Sequence, residues 1–192
     1  MRELVYYVAS TLDGFIARED GSLGDFPWDD DFGAELFRAF PETFPAHLQD
    51  GEFSRTDHKW FDAVLMGRKT YEVGLNAGFS NPYPTLDQYL FSRSLESSPD
   101  AQVELVSGDA VEFVTGLKEK PGKAVWLCGG SELASVLLGA GLIERLIVKL
   151  HPVLFGSGIP LFRKGISPTL LRLTDSKTFA SGHAILHYRI GS

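Results

Sequence analysis

The sequence predicts a single α/β domain over residues 1–192, a mixed sheet flanked by helices. Three observations point to it. Eight apolar runs of strand length recur along the chain, amphipathic helix patterns fill gaps between the earlier runs, and strands dominate the C-terminal part. A chain of 192 residues suits one core, with about 70% of the unfolded surface buried on folding.

The runs are 4–9, 63–66, 88–92, 102–106, 124–128, 145–153, 170–179 and 184–190. Most of the early ones are apolar almost without interruption, as in strands covered on both faces. The last three alternate more, and Ser181–Gly182 between the final two is a turn suited to an antiparallel hairpin. Residues 131–140 place Leu133, Val136, Leu137 and Ala140 at helical spacing, with Ser131 as a cap and Gly139 and Gly141 at the end. Residues 109–118 group Val111, Val114 and Leu117 behind a capping Asp109, and residues 29–40 group Phe32, Leu36, Phe37 and Phe40. Residues 20–56, with several Gly, Pro and Asp, are expected to hold long loops around one or two helices, and Pro82 and Pro84 mark another loop.

Composition narrows the function classes. An apolar fraction of 44% and a charged fraction of 22% are ordinary for a globular protein. A net charge of −7 without a lysine/arginine run argues against nucleic acid or an anionic membrane as partner. An anionic ligand would need a local cationic pocket. Cys128 is the one cysteine, so no internal disulfide can form, which fits a reducing compartment. The apolar stretch 5–9 is too short for a signal peptide, and no run approaches the ~18 apolar residues of a membrane span. The expectation is a cytoplasmic protein. His47, His58, His151, His183 and His187 show no ligand spacing, so no metal is expected. No G-x-S-x-G elbow is present, which disfavours a serine hydrolase of the α/β type.

Three strand ends carry the candidate chemistry. At 125–138, "VWLCGGSELASVLL", a strand ends on Gly129 and Gly130 and a helix begins at once. A helix start offers unpaired N–H groups and a positive dipole end to a phosphate, but two glycines also simply make a tight turn. A Rossmann fingerprint would need glycine where Ser131 and Ala134 stand. At 63–74, "AVLMGRKTYEVG", Gly67 follows a strand, Arg68 and Lys69 bring two cations, and Thr70 can cap a short helix. A Walker A loop would need glycine at Arg68 and at Ala63. The junction fits either a capped helix with solvated cations or an anion site. At "YLFSRS", Ser92, Arg93 and Ser94 follow a strand, an arginine beside hydroxyls. Ligands of open α/β sheets bind at the carboxyl ends of strands, so three such ends strengthen one another.

"VLMGRKTYE", "LFSRS" and "VWLCGGSEL", in that order and spacing, resemble the dihydrofolate reductase superfamily. The match is nearer to the branch of the reductase domain of the bifunctional riboflavin-biosynthesis deaminase/reductase and its stand-alone relatives. "VASTLDGFIA" and "LLGAGLIERLIVKLHPVLFGSGIPLF" resemble segments of that branch, and the likeness covers nearly the whole chain. It implies a dihydrofolate reductase-like three-layer fold, with a mostly parallel sheet of about eight strands, helices on both faces and an antiparallel C-terminal hairpin. It also implies NADPH as hydride donor. Arg68 would meet the 2′-phosphate and Thr70 the pyrophosphate, with Gly67 and Lys69 in the same turn. Ser92 and Arg93 would hold the 2′-phosphate side. Gly129, Gly130 and the N–H groups of Ser131, Glu132 and Leu133 would cradle the pyrophosphate, and Val8, Ala9 and Ile16 would lie near the nicotinamide. The activity implied is hydride transfer to a small heterocyclic (pyrimidine- or pterin-like), imine or carbonyl substrate, related to 5-amino-6-(5-phosphoribosylamino)uracil reductase. The alternative is a non-catalytic nucleotide-binding or sensor protein on the same fold. Relatives of this branch commonly pair, so a homodimer is expected, with "IVKLHPVLF" as an apolar strand for the interface.

Folate reductases resemble one another in P-W-x-x-P-x-D-x-x-x-F. In "PWDDDFGAELF" Pro27, Trp28 and Phe37 match, but the acidic position falls on Gly33, so folate reduction is not expected. Asp31 and Glu35, four apart on one helical face, are the nearby candidates for proton delivery; as surface residues they would be a dipole partner and a solvated charge. Asp13 in "TLDGFIA" is a third candidate, with turn formation as the competing role. His151 and Cys128 are expected to be structural.

Overall fold

The computed structural model describes residues 1–48 and 57–191. Ten strands and four α-helices follow one another as β1 (Leu4–Thr11), β2 (Phe15–Ala17), α1 (Asp30–Ala39), β3 (Phe61–Gly67), α2 (Arg68–Asn76), β4 (Asp87–Phe91), β5 (Val103–Val106), α3 (Ala110–Glu119), β6 (Ala124–Gly129), α4 (Ser131–Gly139), β7 (Arg145–His151), β8 (Ile159–Pro160), β9 (Leu171–Thr178) and β10 (Ala184–Ile190). Residues 49–56, the end of the loop region expected from composition, lie outside the described residues.

Eight strands form one sheet in the order β5-β4-β3-β6-β1-β7-β10-β9. The six from β5 to β7 are parallel; β10 runs antiparallel to both β7 and β9. The final turn is the one read from Ser181–Gly182. Gly182 has φ +87° and its N–H donates to the Phe179 carbonyl, a conformation that glycine adopts without steric cost. A separate two-stranded ribbon, β2 with β8, lies beside β1 and was not legible in the sequence, since strands of three and two residues carry no periodicity.

The sheet divides the core in two. Leu4, Tyr6 and Val8 of β1 face a cluster completed by Val114 and Leu117 of α3 and by Ala134 and Leu137 of α4. Val5 and Tyr7, alternating with them, face Phe32 and Leu36 of α1 and Tyr71 of α2. Helices therefore cover both faces, which explains the near-continuous apolar runs in the middle of the central strands. Phe37, grouped with the core face of α1 by spacing, is 43% exposed and instead lies edge-on to Phe44. β7 sits between β1 and β10, so neither of its edges is free for another chain. The exposed apolar side chains of this region are Leu154, in the loop that follows β7, Leu170, and Leu171 and Leu173 of β9, the outermost strand. No helix among the described residues is long and apolar enough to cross a membrane.

Glu42 anchors the segment that returns to β3. Its carboxylate is buried and accepts from the backbone N–H groups of Lys59, Trp60 and Phe61. Glu42→Ala leaves these donors without their acceptor, at a cost of about 3 kcal/mol, or roughly 6–12 °C in melting temperature for a chain of this size. Glu42→Gln, which keeps one carbonyl oxygen, is expected to lose less; thermal denaturation of the two variants checks the order.

Candidate active site at the carboxyl edge of the sheet

The three strand-end turns meet. β3 and β6 are neighbours, with Met66 opposite Gly129, so the turns that follow them touch. A Cβ on Gly67 would stand 3.4 Å from the Gly130 nitrogen, and one on Gly129 would stand 3.2 Å from Thr70 Oγ1. Gly129 has φ +150°, and the peptide joining it to Gly130 is cis. The third turn joins through side chains: Arg68 Nη1 donates to Ser94 Oγ at 2.8 Å, and the Ser94 N–H donates to Ser92 Oγ. Gly67, Arg68, Thr70, Ser92, Arg93, Gly129 and Gly130 thus line one continuous edge.

Two hydroxyls expected to cap helices do not. α2 begins at Arg68 with Gly67 as its N-cap, and α4 begins at Ser131 with Gly130 as its N-cap; neither start receives a side-chain hydrogen bond. Thr70 and Ser131 lie inside the first turns, because each glycine takes the extended N-cap conformation itself. The consequence is chemical. Both helix starts keep their orphan N–H groups pointing at the shared edge. Ser131 Oγ is buried and has no hydrogen-bond partner, which a buried hydroxyl rarely lacks. A phosphate oxygen at this cradle would satisfy both. Glu132, also in the first turn of α4, is drawn toward Arg163 at 3.7 Å. Arg68 is held by Glu72, whereas Lys69 and Arg93 are exposed and carry no ion pair among the described residues. Ser92 also donates its N–H to the Val106 carbonyl, and beyond it an open hollow of about 390 Å³ is lined by Leu105, Val106, Ser107, Gly108 and Phe113 together with the acidic Glu104, Asp109 and Glu112.

Val8, Ala9 and Ile16 do not share a face. Val8 packs with Ile16 on the α3/α4 side, and Ala9 points to the α1/α2 side. On that second side Ala9 of β1, Cys128 of β6 and Lys149 of β7 are each partly exposed, although their strands are central. The helices leave them partly uncovered, so they lie side by side on the floor of an opening, Cys128 one residue from Gly129. Cys128 packs against the α1/α2-side core as expected, and its remaining exposed surface borders this opening. Burial raises its thiol to about 11, so it is neutral at physiological pH. Lys149 was missed; its one signal was a lysine placed amid the apolar "RLIVKLHPV".

The three candidate carboxylates are not gathered there. Asp13 accepts from Thr11 Oγ1 at 2.5 Å and from the backbone N–H groups of Phe155 and Gly156, and these donors hold its carboxyl below the ordinary carboxylate range, the threonine contributing most. It clasps the loop after β7 to the loop after β1. Glu35 is bonded to Arg38 and Lys177, which with the Arg38 bonds foremost lower it to about 2. Asp31 is exposed in the first turn of α1, which Asp29 caps. Gly33, at the acidic position of the folate reductase pattern, lies under the Trp28 indole, which any side chain added there would strike.

The wall beside the cleft is fixed by one carbonyl. Pro27 O is bonded by His151 Nδ1 at 3.0 Å and by His183 Nε2 at 3.1 Å, with Phe32 stacked on His183. Burial is the main cause that lowers His151 to about 4. A histidine whose folded value lies below its usual 6.5 binds fewer protons folded than unfolded, so stability declines as pH falls from about 6.5 toward 4. His151→Gln removes part of that slope, as melting curves over this pH range will show. Asp13→Ala is expected to speed hydrogen exchange at the amides of Phe155 and Gly156.

The chain matches the family model described as RibD C-terminal domain over residues 2–186. It is 35% identical over 188 residues to the uncharacterized protein YwjB of Bacillus subtilis strain 168, covering 97% of each chain. Its fold is that of dihydrofolate reductase from Enterococcus faecalis complexed with NADP(H) and RAB-propyl, at a TM-score of 0.66 and 16% identity over 99% of this chain and 97% of that one. It is also that of a diaminohydroxyphosphoribosylaminopyrimidine deaminase/5-amino-6-(5-phosphoribosylamino)uracil reductase from Thermotoga maritima, at a TM-score of 0.65 and 18% identity over 99% of this chain and 57% of that one. With its uncapped glycine turns, its sheet order and a family match along almost its full length, the chain belongs to the RibD C-terminal domain family.

Proposed function

We propose that the protein is an NADPH-dependent reductase that transfers hydride to a small substrate in the cleft over Ala9, Cys128 and Lys149. The observation that carries this reading is the convergence of two uncapped helix starts on one point, where backbone is bare and a buried serine hydroxyl has no partner. That arrangement suits a pyrophosphate, held by the N–H groups of Ser131, Glu132 and Leu133 with the Thr70 hydroxyl opposite. A 2′-phosphate fits the cationic side of the same edge, where Arg68 is already oriented by Glu72 and Ser94 and where Lys69, Ser92 and Arg93 lie alongside. The adenine has the hollow after β5 within reach of Ser92. The nicotinamide end then falls toward Ala9, with Val8 and Ile16 supporting β1 from behind. NADPH supplies the hydride and the chain positions it.

The NADP(H) in the Enterococcus faecalis enzyme and the reductase activity in the name of the Thermotoga maritima protein support the same reading. Folate itself is not the proposed substrate, because the indole of Trp28 occupies the space in front of Gly33. We place the expected homodimer contact on β9 around Leu171 and Leu173, not on β7.

NADPH is expected to raise the melting temperature more than NADH does. Arg68→Ala should weaken NADPH about 10–100-fold, since a hydrogen bond to a charged group contributes about 1.5–3 kcal/mol, and leave NADH nearly unchanged. Equal response of the wild type to both dinucleotides would refute the 2′-phosphate assignment. Titration of each by fluorescence gives the comparison.

A further inference from the structure

The floor of the cleft carries a charge that nothing described so far uses. Lys149 faces the same side of the sheet as Ile147 beside it and as Tyr7, and its Nζ lies 4.2 Å from the centre of the Tyr7 ring. Among the described residues no carboxylate pairs with it. The elements packed around it offer little else that is charged. β1 presents Tyr7 and Ala9, β6 presents Cys128, whose thiol stays neutral at physiological pH, and β10 presents Ile185 opposite it in register. Tyr83, before β4, reaches the Cys128 thiol with a phenol that burial keeps protonated. His151, two residues along, is turned to Pro27 O and is neutral. α1 contributes Phe32 and Leu36 to this face. The nearby carboxylates are occupied: Glu42, whose charge reaches Tyr7, by the backbone N–H groups of Lys59, Trp60 and Phe61, Asp13 by the loop after β7, and Glu35 by Arg38 and Lys177.

An unpaired cation on the floor of a cleft is a demand on the ligand. A lysine ammonium only donates hydrogen bonds. A pterin-like ring turns an amino-and-N–H edge toward its site and asks for an acceptor there, normally a carboxylate, which this floor does not present. A carbonyl oxygen accepts, and it needs a donor most when it gains charge during reduction.

We propose that Lys149 binds the oxygen of the hydride acceptor and protonates it, so that the substrate of this cleft is a small carbonyl compound. This rests on the reductase reading above. In the step, the carbonyl carbon receives hydride with its electron pair from the reduced nicotinamide, and the C=O π pair moves to oxygen. The oxygen takes a proton from Lys149 Nζ as that N–H bond breaks. The products are an alcohol, the oxidised dinucleotide and a neutral amine, which regains its proton from water at its exposed side. Burial, the largest influence, lowers the ammonium to about 8, near the pH at which a donor is most effective. Above that pH the amine is neutral and the proton is missing, so turnover declines as pH rises through about 8.

The test uses the full chain with NADPH and three carbonyl probes, 2,3-butanedione, methylglyoxal and 9,10-phenanthrenequinone, alongside 7,8-dihydrofolate. Acetylation of each lysine is followed by mass spectrometry against pH. Lys149 is expected to react with an apparent pKa near 8 and to be shielded about tenfold or more when NADP⁺ and butanedione are both present. At least one carbonyl probe should be reduced, dihydrofolate should not, and kcat should fall above about pH 8. Lys149→Met should lose about 100-fold or more in kcat/KM while its NADPH dissociation constant stays within about twofold. Lys149→Arg, which keeps the charge but does not release a proton in this range, should retain KM, lose kcat and lack the alkaline decline. The inference is overturned if no carbonyl probe is reduced, if Lys149→Met turns over like the wild type, or if Lys149 labels without shielding. A protein that binds NADPH and fails these tests loses this inference alone; one that does not bind NADPH loses the reductase reading with it.

Discussion

Everything at the functional edge depends on how closely the ends of β3 and β6 approach each other. A Cβ on Gly67 would stand 3.4 Å from the Gly130 nitrogen and 3.6 Å from the Gly129 oxygen, in van der Waals contact with that peptide. A side chain at Gly129, where φ is +150°, would strain the backbone and make the Thr70 hydroxyl shift, and one at Gly67 would touch the opposing backbone. Because the two turns touch, α2 and α4 begin side by side, and because glycines occupy both N-caps, neither helix spends its first N–H groups on its own side chains. Bare backbone, two dipole ends and an unpartnered hydroxyl come together from that one steric constraint.

Charge is distributed to match. A chain with a net charge of −7 repels anions at long range, so any anion site has to be built locally. Arg68, Lys69 and Arg93 stand on one edge, and two acidic residues of the helices that start there are drawn aside. Glu72 braces Arg68 and Glu132 turns toward Arg163. On the other side of the cleft Asp13 and Glu35 are consumed by backbone amides and by basic partners. What reaches the open floor is an ammonium, not a carboxylate, and this sets the cleft apart from one made for an amidine-edged heterocycle.

One sheet order can serve different substrates because the fold fixes only where strands end, and the side chains at those ends fix the chemistry. The region around α1 illustrates this. Pro27 and Trp28 match the folate reductase pattern by type, yet here the carbonyl of Pro27 is bonded by two histidine rings and the indole of Trp28 covers Gly33. The same segment becomes an aromatic wall, in which Phe26, Phe32, Phe155 and Phe179 pack around His151 and His183.

By itself the sequence determined the features that depend on local periodicity and short-range chemistry. Strand runs and helix faces show where residues alternate or recur, Asp109 caps α3 as its type dictates, and Ser181–Gly182 turns as its glycine allows. The glycine-and-arginine junctions were visible for the same reason. Tertiary structure decided what depends on which strands are neighbours. That Met66 lies opposite Gly129, so that turns 62 residues apart in sequence touch, follows from the sheet order alone. That Thr70 and Ser131 are not caps follows from the conformation of the glycines before them. Lys149 looked like one lysine in an apolar strand, and Cys128, which does pack against the core, gave no sign of its open side. Only the placing of β6, β1 and β7 side by side, under a gap that α1 and α2 leave open, brings them to the floor of a cleft, because exposure at the centre of a sheet is set by what the helices fail to cover.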